Sequence, residues 1–312
     1  MRFIAVINRE AGGVRRTGVR RLEEMAEETL GHQLVGLESA RGRVFPSAVT
    51  AALAQRPDGL IAIGGDGTAR TVAGYAITAG VPVTFAPAGT MNLLPRRLWG
   101  EREIEEVLAA IAAGEFCLDA LPVAMIEGEP FFVAAAFGLV PAFGRIREHH
   151  RLARSWRRRL GALLQGLALG RRVFRPNVMF RSESRRTMRT PALIVTVGDA
   201  DQLYPWRGVD AGIGGFECVS LRLEGWMDVL QLAGKTLLRR DWRDDERIES
   251  FSARRIVVSG RGRRLWMMVD GEPLWRDPPV RLRFSSSPMQ VMASTDSPLA
   301  KARHSVNESE GS

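Results

Sequence analysis

The sequence predicts an α/β protein in two parts: an N-terminal open, mostly parallel α/β domain and a second, β-rich, mainly antiparallel domain. Three observations carry this. Short apolar runs alternate with amphipathic helical stretches over residues 1–115, the pattern of a parallel sheet with crossover helices. Beyond Glu115 most apolar runs are strand-like and closely spaced, as in antiparallel sheets. Finally, a chain of 312 residues with 45% apolar content is long for one small core and sufficient for two.

Arg2–Asn8 reads as a buried strand. Gly18–Leu30 follows as a helix, with Val19, Leu22, Met25, Ala26 and Leu30 on one face. Gln33–Leu37 suits a second strand and Pro46–Ala54 a second helix with proline near its start. Asp58–Ile63 is a short apolar strand that ends in Gly64-Gly65-Asp66-Gly67-Thr68, and a helix continues to Ala79. Val81–Ala86 is another strand, closed by a turn at Pro87-Ala88-Gly89-Thr90; Glu101–Ala113 is an amphipathic helix. In the second part, Phe116–Ile126 and Pro130–Phe137 read as strands joined by a Glu-Gly turn. After a helical Arg145–Gly170 block come strands at Val173–Arg181, Thr187–Val197, Phe216–Leu223, Ile248–Ser259 and Leu265–Val269, with a helix at Trp226–Leu238. The polar stretch 294–312 has no periodicity and reads as a disordered tail.

The formal net charge is +9, and all but two of the 44 basic residues (Lys235 and Lys301) are arginine. A positive balance favours an anionic partner. Cys117 and Cys218 lie too far apart in sequence for a local metal motif and read as free thiols of a reducing compartment. The N-terminus is not a signal peptide, because charges close its apolar run quickly. Phe131–Phe143 and Leu160–Leu169, the longest apolar stretches, fall short of the roughly 18–20 residues that span a bilayer. A cytoplasmic protein, peripheral at the inner face of the membrane, is therefore expected.

Gly64-Gly65-Asp66-Gly67-Thr68 carries the most chemistry. It joins a strand to a helix, where ligands bind in open α/β sheets. Glycine lets backbone approach phosphate, and the helix start offers unpaired N–H groups and a positive dipole end. Asp66 within such a loop calls for a cation, and Mg²⁺ bridging phosphates supplies one. Pro87-Ala88-Gly89-Thr90-Met91-Asn92 is a second glycine turn at the next strand end, where Thr90 and Asn92 offer polar groups to phosphate or ribose. Asn8 ends the first strand and Gly12-Gly13 follow in a flexible loop, a third element at the same sheet edge. Val269-Asp270-Gly271-Glu272-Pro273 sets two carboxylates around a glycine. Spacing alone leaves open whether this is a hairpin turn or a general base for an attacking hydroxyl.

Together these four elements resemble the diacylglycerol kinase catalytic-domain family, which includes bacterial lipid kinases and sphingosine kinases. The first strand ends in Asn8-Arg9-Glu10-Ala11-Gly12 where the family has an Asn-Pro-x-x-Gly-like loop. Gly64–Thr68 match the Gly-Gly-Asp-Gly-Thr signature at all five positions, Pro87–Asn92 match Pro-x-Gly-Thr-x-Asn, and Asp270–Glu272 match Asp-Gly-Glu. The elements run in the family order across residues 2–292. The resemblance implies a nucleotide-binding α/β domain over 1–115 and a β-rich lipid-substrate domain over 116–293, whose C-terminal strand can return to the first domain. It implies an ATP-dependent lipid kinase of phospholipid metabolism acting on a hydroxyl such as that of diacylglycerol. Asn8, Gly12, Gly64, Gly65, Asp66, Gly67, Thr68, Thr90 and Asn92 would bind the nucleotide, Asp66 would meet Mg²⁺, and Asp270 and Glu272 would be catalytic.

Two departures stand against the family pattern. Leu93 replaces the aspartate that usually follows Asn92, and Gly215–Val219 lacks the Asp-Gly-Leu segment tied to a structural Mg²⁺ in bacterial members. They leave a catalytically inactive nucleotide- or lipid-binding homologue as one alternative. An NAD-kinase-like enzyme with a soluble substrate is another, since it shares Gly-Gly-Asp-Gly-Thr; the sequence has no Thr-Gly-Ser-Thr-Ala-Tyr-like segment of that family. Gly234-Lys235-Thr236 is not a phosphate loop, because Val229 stands where its first glycine belongs. His149 and His150 are adjacent and face different ways on a helix. The Arg145–Arg175 block sets ten arginines against one acid, Glu148, beside an apolar helical stripe. It suits either a core-facing helix with a solvated basic side or an anionic membrane surface. A lipid substrate is the expected partner, and no nucleic acid is expected.

Overall fold

The structure is a computed structural model that describes residues 1–89, 92–139, 177–183, 185–197, 215–223, 225, 227–228, 245–285, 287–297 and 299. The Arg145–Arg175 block, Gly234–Thr236 and nearly all of the helix expected at Trp226–Leu238 lie outside the described residues. The chain forms two compact units, Met1–Val123 with Ser285–Ser312, and Ala124–Phe284. The divisions fall there rather than after residues 115 and 293 because strands at both places join the first sheet.

The first unit contains β1 (Phe3–Asn8), α1 (Gly12–Thr17), α2 (Val19–Leu30), β2 (Leu34–Ala40), α3 (Phe45–Ala54), β3 (Gly59–Gly64), α4 (Asp66–Ala79), β4 (Val83–Pro87), α5 (Leu93–Trp99), α6 (Ile104–Ala113), β5 (Cys117–Leu121) and, from the far end of the chain, β18 (Met289–Ala293). Its sheet runs β2-β1-β3-β4-β18-β5. Every neighbouring pair is parallel except β18–β5. β3 is buried along its whole length and β1 along all but its last residue, as expected of strands covered on both faces. Leu22, Ala26 and Leu30 supply the buried stripe of α2 at helical spacing. A reciprocal Glu103–Glu106 capping box starts α6, satisfying two otherwise orphan N–H groups. Gly80, left-handed at φ 67°, ends α4.

Two helices were not expected. Gly12 and Gly13 open the short α1 instead of lying in a loop. α5 tolerates Pro95 because the ring sits in the first turn, where no intrahelical N–H is needed. The polar tail also begins later than its composition suggests. Ser294 and Ser297 are buried, and the Ser294 N–H donates to the Leu98 carbonyl at 2.9 Å.

The second unit holds β6 (Ala124–Ile126), β7 (Glu129–Phe131), β8 (Ala134–Gly138), β9 (Val178–Ser182), β10 (Met188–Thr190), β11 (Ala192–Val197), β12 (Phe216–Leu221), β13 (Ile248–Ala253), β14 (Arg255–Gly260), β15 (Leu265–Val269), β16 (Glu272–Arg276) and β17 (Val280–Phe284). They form two antiparallel sheets, β10-β9-β14-β17-β6-β7 and β13-β12-β11-β8-β15-β16. The inward side chains of both sheets, among them Phe131, Phe137, Phe180, Val195, Phe216, Ile256, Met267 and Leu282, share one apolar core, the architecture of a sandwich.

Several runs that read as single strands are broken. Thr187–Val197 divides at Pro191 into β10 of one sheet and β11 of the other, and Ile248–Ser259 divides at Arg254 into β13 and β14 in the same way. Phe116–Ile126 divides at Pro122 into β5 of the first unit and β6 of the second. Each break sends a continuous β-prone run to two different sheets. Among the described residues no helix is long and apolar enough to cross a membrane. Cys117 and Cys218 are free thiols. Burial, and then the neighbouring Glu217 carboxylate, push the Cys218 thiol well above its usual range, which makes it inert.

β18 is fixed to the first sheet by a buried hydroxyl. Thr84 Oγ1 donates to the Met292 carbonyl at 2.8 Å and accepts from Trp99 Nε1 at 2.7 Å. Replacing it with the near-isosteric valine strands both partners, at about 1–3 kcal/mol for each buried unsatisfied group. We expect Thr84→Val to lower the urea midpoint of unfolding by a matching amount, and an unchanged midpoint would remove this role.

Candidate functional site

The C-terminal ends of β1, β3 and β4 lie side by side, and the loops that leave them interlock. The Gly13 N–H donates to the Ala88 carbonyl at 2.9 Å, and the Ala88 N–H donates to the Gly64 carbonyl at 3.1 Å. Asn8 Nδ2 donates to Thr68 Oγ1 at 2.9 Å, which binds the end of β1 to the first turn of α4. Asn92, left-handed at φ 51°, accepts the Gly89 N–H on Oδ1 at 2.7 Å and so closes the second turn on itself.

Glycine is required where these turns meet. A Cβ on Gly89 would lie 2.6 Å from Gly65 Cα and 2.8 Å from Asn92 Oδ1, and one on Gly13 would lie 2.3 Å from the Ala88 carbonyl oxygen. The two turns therefore touch backbone to backbone. The start of α4 lies at the same edge. Its first intrahelical bond runs from the Ala69 N–H to the Gly65 carbonyl at 2.9 Å. The helix itself thus leaves the N–H groups of Asp66, Gly67 and Thr68 for other acceptors.

Asp66 is buried, at 8% exposure, and its Oδ1 accepts the N–H groups of Leu93 at 2.7 Å and Leu94 at 3.5 Å. It thus sits on the N-terminus of α5, where a negative charge is favoured by the helix dipole. Leu93 is itself buried and gives its backbone to this bond.

The structure brings Asn8, Gly64, Gly65, Asp66, Gly67, Thr68 and Asn92 together at one sheet edge. Gly12 stands apart from this packing, since a Cβ there would meet nothing within 4 Å; Gly13 makes the contact instead. Thr90 lies outside the described residues. Sequence reasoning placed Gly13 and Gly89 in these loops without assigning them a contact, and it missed Arg70. That arginine sits one helical turn beyond Asp66 and has a buried Nη1 with no hydrogen-bond partner among the described residues; its spacing from Asp66 was the available signal. A hollow of about 550 Å³, lined in part by Phe3, His32, Gln33 and Phe116, lies at the opposite, N-terminal edge of the strands and holds none of these residues.

In the second unit Asp270 and Glu272 have different surroundings. Asp270 is buried, at 5% exposure and φ 48°. Its Oδ2 accepts the Phe132 N–H at 3.0 Å, and its Oδ1 accepts the Val133 and Ala134 N–H groups at 2.8 and 3.1 Å. These donors lie at the break between β7 and β8, so the carboxylate stands in for strand partners that Phe132 and Val133 lack. Glu272 begins β16 and is exposed, and no partner holds its carboxylate among the described residues. Charge-assisted bonds to a buried carboxylate contribute about 1.5–3 kcal/mol each. Asp270→Ala should therefore cost about 3 kcal/mol or more in denaturant unfolding, while Glu272→Gln leaves stability unchanged. Equal stability of the two variants would contradict this division of roles.

Residues 2–117 match the family model of the diacylglycerol kinase catalytic domain. Among similar solved structures is a "putative diacylglycerol kinase" from Bacillus anthracis str. Sterne, 16% identical, aligned over 94% of this chain and 96% of that one with a TM-score of 0.65. A second structure from the same organism, described as a diacylglycerol kinase, is 13% identical, with the same coverage and a TM-score of 0.57. At such identities the likeness establishes the fold. Residues 2–117, which hold all three interlocked loops, match the diacylglycerol kinase catalytic domain family, and the chain shares its fold with these two proteins over 94% of its length.

Proposed function

We propose that the protein transfers the γ-phosphate of ATP to the hydroxyl of a lipid such as diacylglycerol. The observation that carries this reading is the backbone-to-backbone meeting of Gly65 and Gly89 beside the first turn of α4, whose leading N–H groups the helix itself does not use, within a region that matches the diacylglycerol kinase catalytic domain. A cradle without side chains admits phosphate, and first-turn N–H groups bind it. Arg70, whose buried Nη1 has no hydrogen-bond partner among the described residues, adds a charged donor one turn along α4.

The residues fit a magnesium nucleotide. Mg²⁺ commonly takes one or two protein carboxylates and completes its shell with phosphate and water, and Asp66 is a carboxylate at this sheet edge. When bound, the ion would neutralise charge on the phosphates. Asn8, Gly64, Gly65, Gly67, Thr68, Thr90 and Asn92 would bind and orient the nucleotide. In the second unit Glu272 would accept the proton of the lipid hydroxyl as its oxygen bonds to the γ-phosphorus and the bond to the ADP oxygen breaks. Asp270 would act as a positioning residue that fixes the turn bearing Glu272. The test is incubation of the full chain with labelled ATP, Mg²⁺, NAD and mixed micelles containing diacylglycerol. Labelled phosphatidic acid is expected. Label on NAD instead would favour an NAD-kinase-like reading, and nucleotide binding without any transfer an inactive homologue.

Two substitutions divide the roles. Asp66→Asn retains an oxygen for the Leu93 N–H yet removes the charge. Activity should fall by about 10²–10³ in a folded protein, and unchanged turnover would reduce Asp66 to a helix cap. Glu272→Gln should lower kcat by roughly 10²–10⁴ with ATP affinity unaltered; a wild-type kcat would end its assignment as the base.

A further inference from the structure

The outward side of the sheet β10-β9-β14-β17-β6-β7 is strongly basic. Antiparallel partners share a face. In one row Arg255 stands opposite Arg283, which stands opposite Met125. In the next, Val257 lies between Arg181 and Arg281. In a third, Met179 lies between Arg189 and Ser259. All five arginines are exposed, and Met125, Met179 and Val257 are half-buried between them. None of the five guanidinium groups has a hydrogen-bond or ion-pair partner among the described residues. The acids at the margins are engaged elsewhere: Glu183 accepts the backbone N–H groups of Arg254 and Arg255, Glu127 accepts that of Arg281, and Glu129 pairs with Arg276.

Like charges directly opposite on neighbouring strands destabilise a sheet. The Arg255–Arg283 pair is thus a cost that no ion pair to either guanidinium offsets among the described residues, and an anionic partner would offset it. We infer that this sheet face docks on an anionic phospholipid surface, an inference that rests on the lipid-kinase reading for its choice of partner. Guanidinium groups bind phosphate oxygens in a bidentate manner. The methionine and valine side chains between them give the face an apolar component that suits the headgroup boundary. A single-stranded nucleic acid would instead call for aromatic stacking platforms, and these rows contain no aromatic residue.

The test is vesicle partition of the full chain, measured without ATP. The wild type should bind phosphatidylglycerol vesicles, ignore phosphatidylcholine vesicles and dissociate at about 0.5 M salt, where charge is screened within a few ångströms. Each arginine near an anionic surface changes partition about fivefold, so R255Q/R281Q/R283Q should bind ~100-fold more weakly. R283E separates docking from folding. It creates a cross-strand ion pair with Arg255, so its melting temperature should hold or rise while vesicle binding falls; a structural role would move both downward. If the triple variant does not fold, R181Q/R189Q should still reduce partition roughly 30-fold. Equal binding by folded variants and wild type overturns the inference. So does equal binding to both vesicle types, or tight binding to an oligonucleotide without binding to vesicles. Arginine-dependent vesicle binding with no phosphate transfer would leave this surface standing and overturn only the kinase reading.

Discussion

The first unit is organised by one steric constraint: three strand-end loops must meet with no side chain between them. Gly65 and Gly89 touch at the backbone, and Gly13 lies against the Ala88 carbonyl. That contact sets the distance between the loops after β3 and β4. The Asp66 carboxylate then holds the loop after β4 by its following helix, through the Leu93 and Leu94 N–H groups. Asn8 ties the third loop to Thr68. A ligand at this edge would meet an assembled backbone surface, which lowers the ordering cost of binding.

A carboxylate used as a substitute strand partner organises part of the second unit. Asp270 takes three successive N–H groups at the β7–β8 break. The left-handed backbone at Asp270 and Gly271 directs the chain into β16, with Glu272 at its first residue. A buried acid in a glycine turn thus has a complete structural explanation, and the exposed acid two residues later does not. The two carboxylates therefore differ in kind: Asp270 accepts backbone donors on both oxygens and holds the chain, whereas Glu272 stands exposed with no partner among the described residues.

Much of this was legible in the sequence. Strand–helix alternation marked the parallel sheet because fully buried strands such as Leu60–Ile63 leave continuous apolar runs. The glycine turns marked the sheet edge because few other functions require Gly-Gly-Asp-Gly-Thr after a strand. What stayed hidden was non-local. Period-two patterning cannot show that a β-prone run changes sheets at Pro191 or Arg254, since both halves carry the same alternation. The contrast between Asp270 and Glu272 depends on residues 132–134, more than a hundred positions away. The role of Asp66 as the acceptor for α5 was hidden because that helix, short and with Pro95 in its first turn, carries no clear helical pattern.

The pairing of β18 with β4 and β5 has a consequence for how the chain is made. The first unit encloses the whole second unit within its sequence, and its sheet lacks an interior strand until Met289–Ala293 emerge. At elongation rates of about 5–20 residues per second, β4 waits roughly 10–40 s for β18, with the edge that β18 will cover still unpaired. The inserted sandwich can complete its sheets first, because all its strands precede residue 285. Nascent molecules therefore pass through a stage in which β1, β3 and β4 can pair with one another while the sheet still lacks the strand that joins β4 to β5.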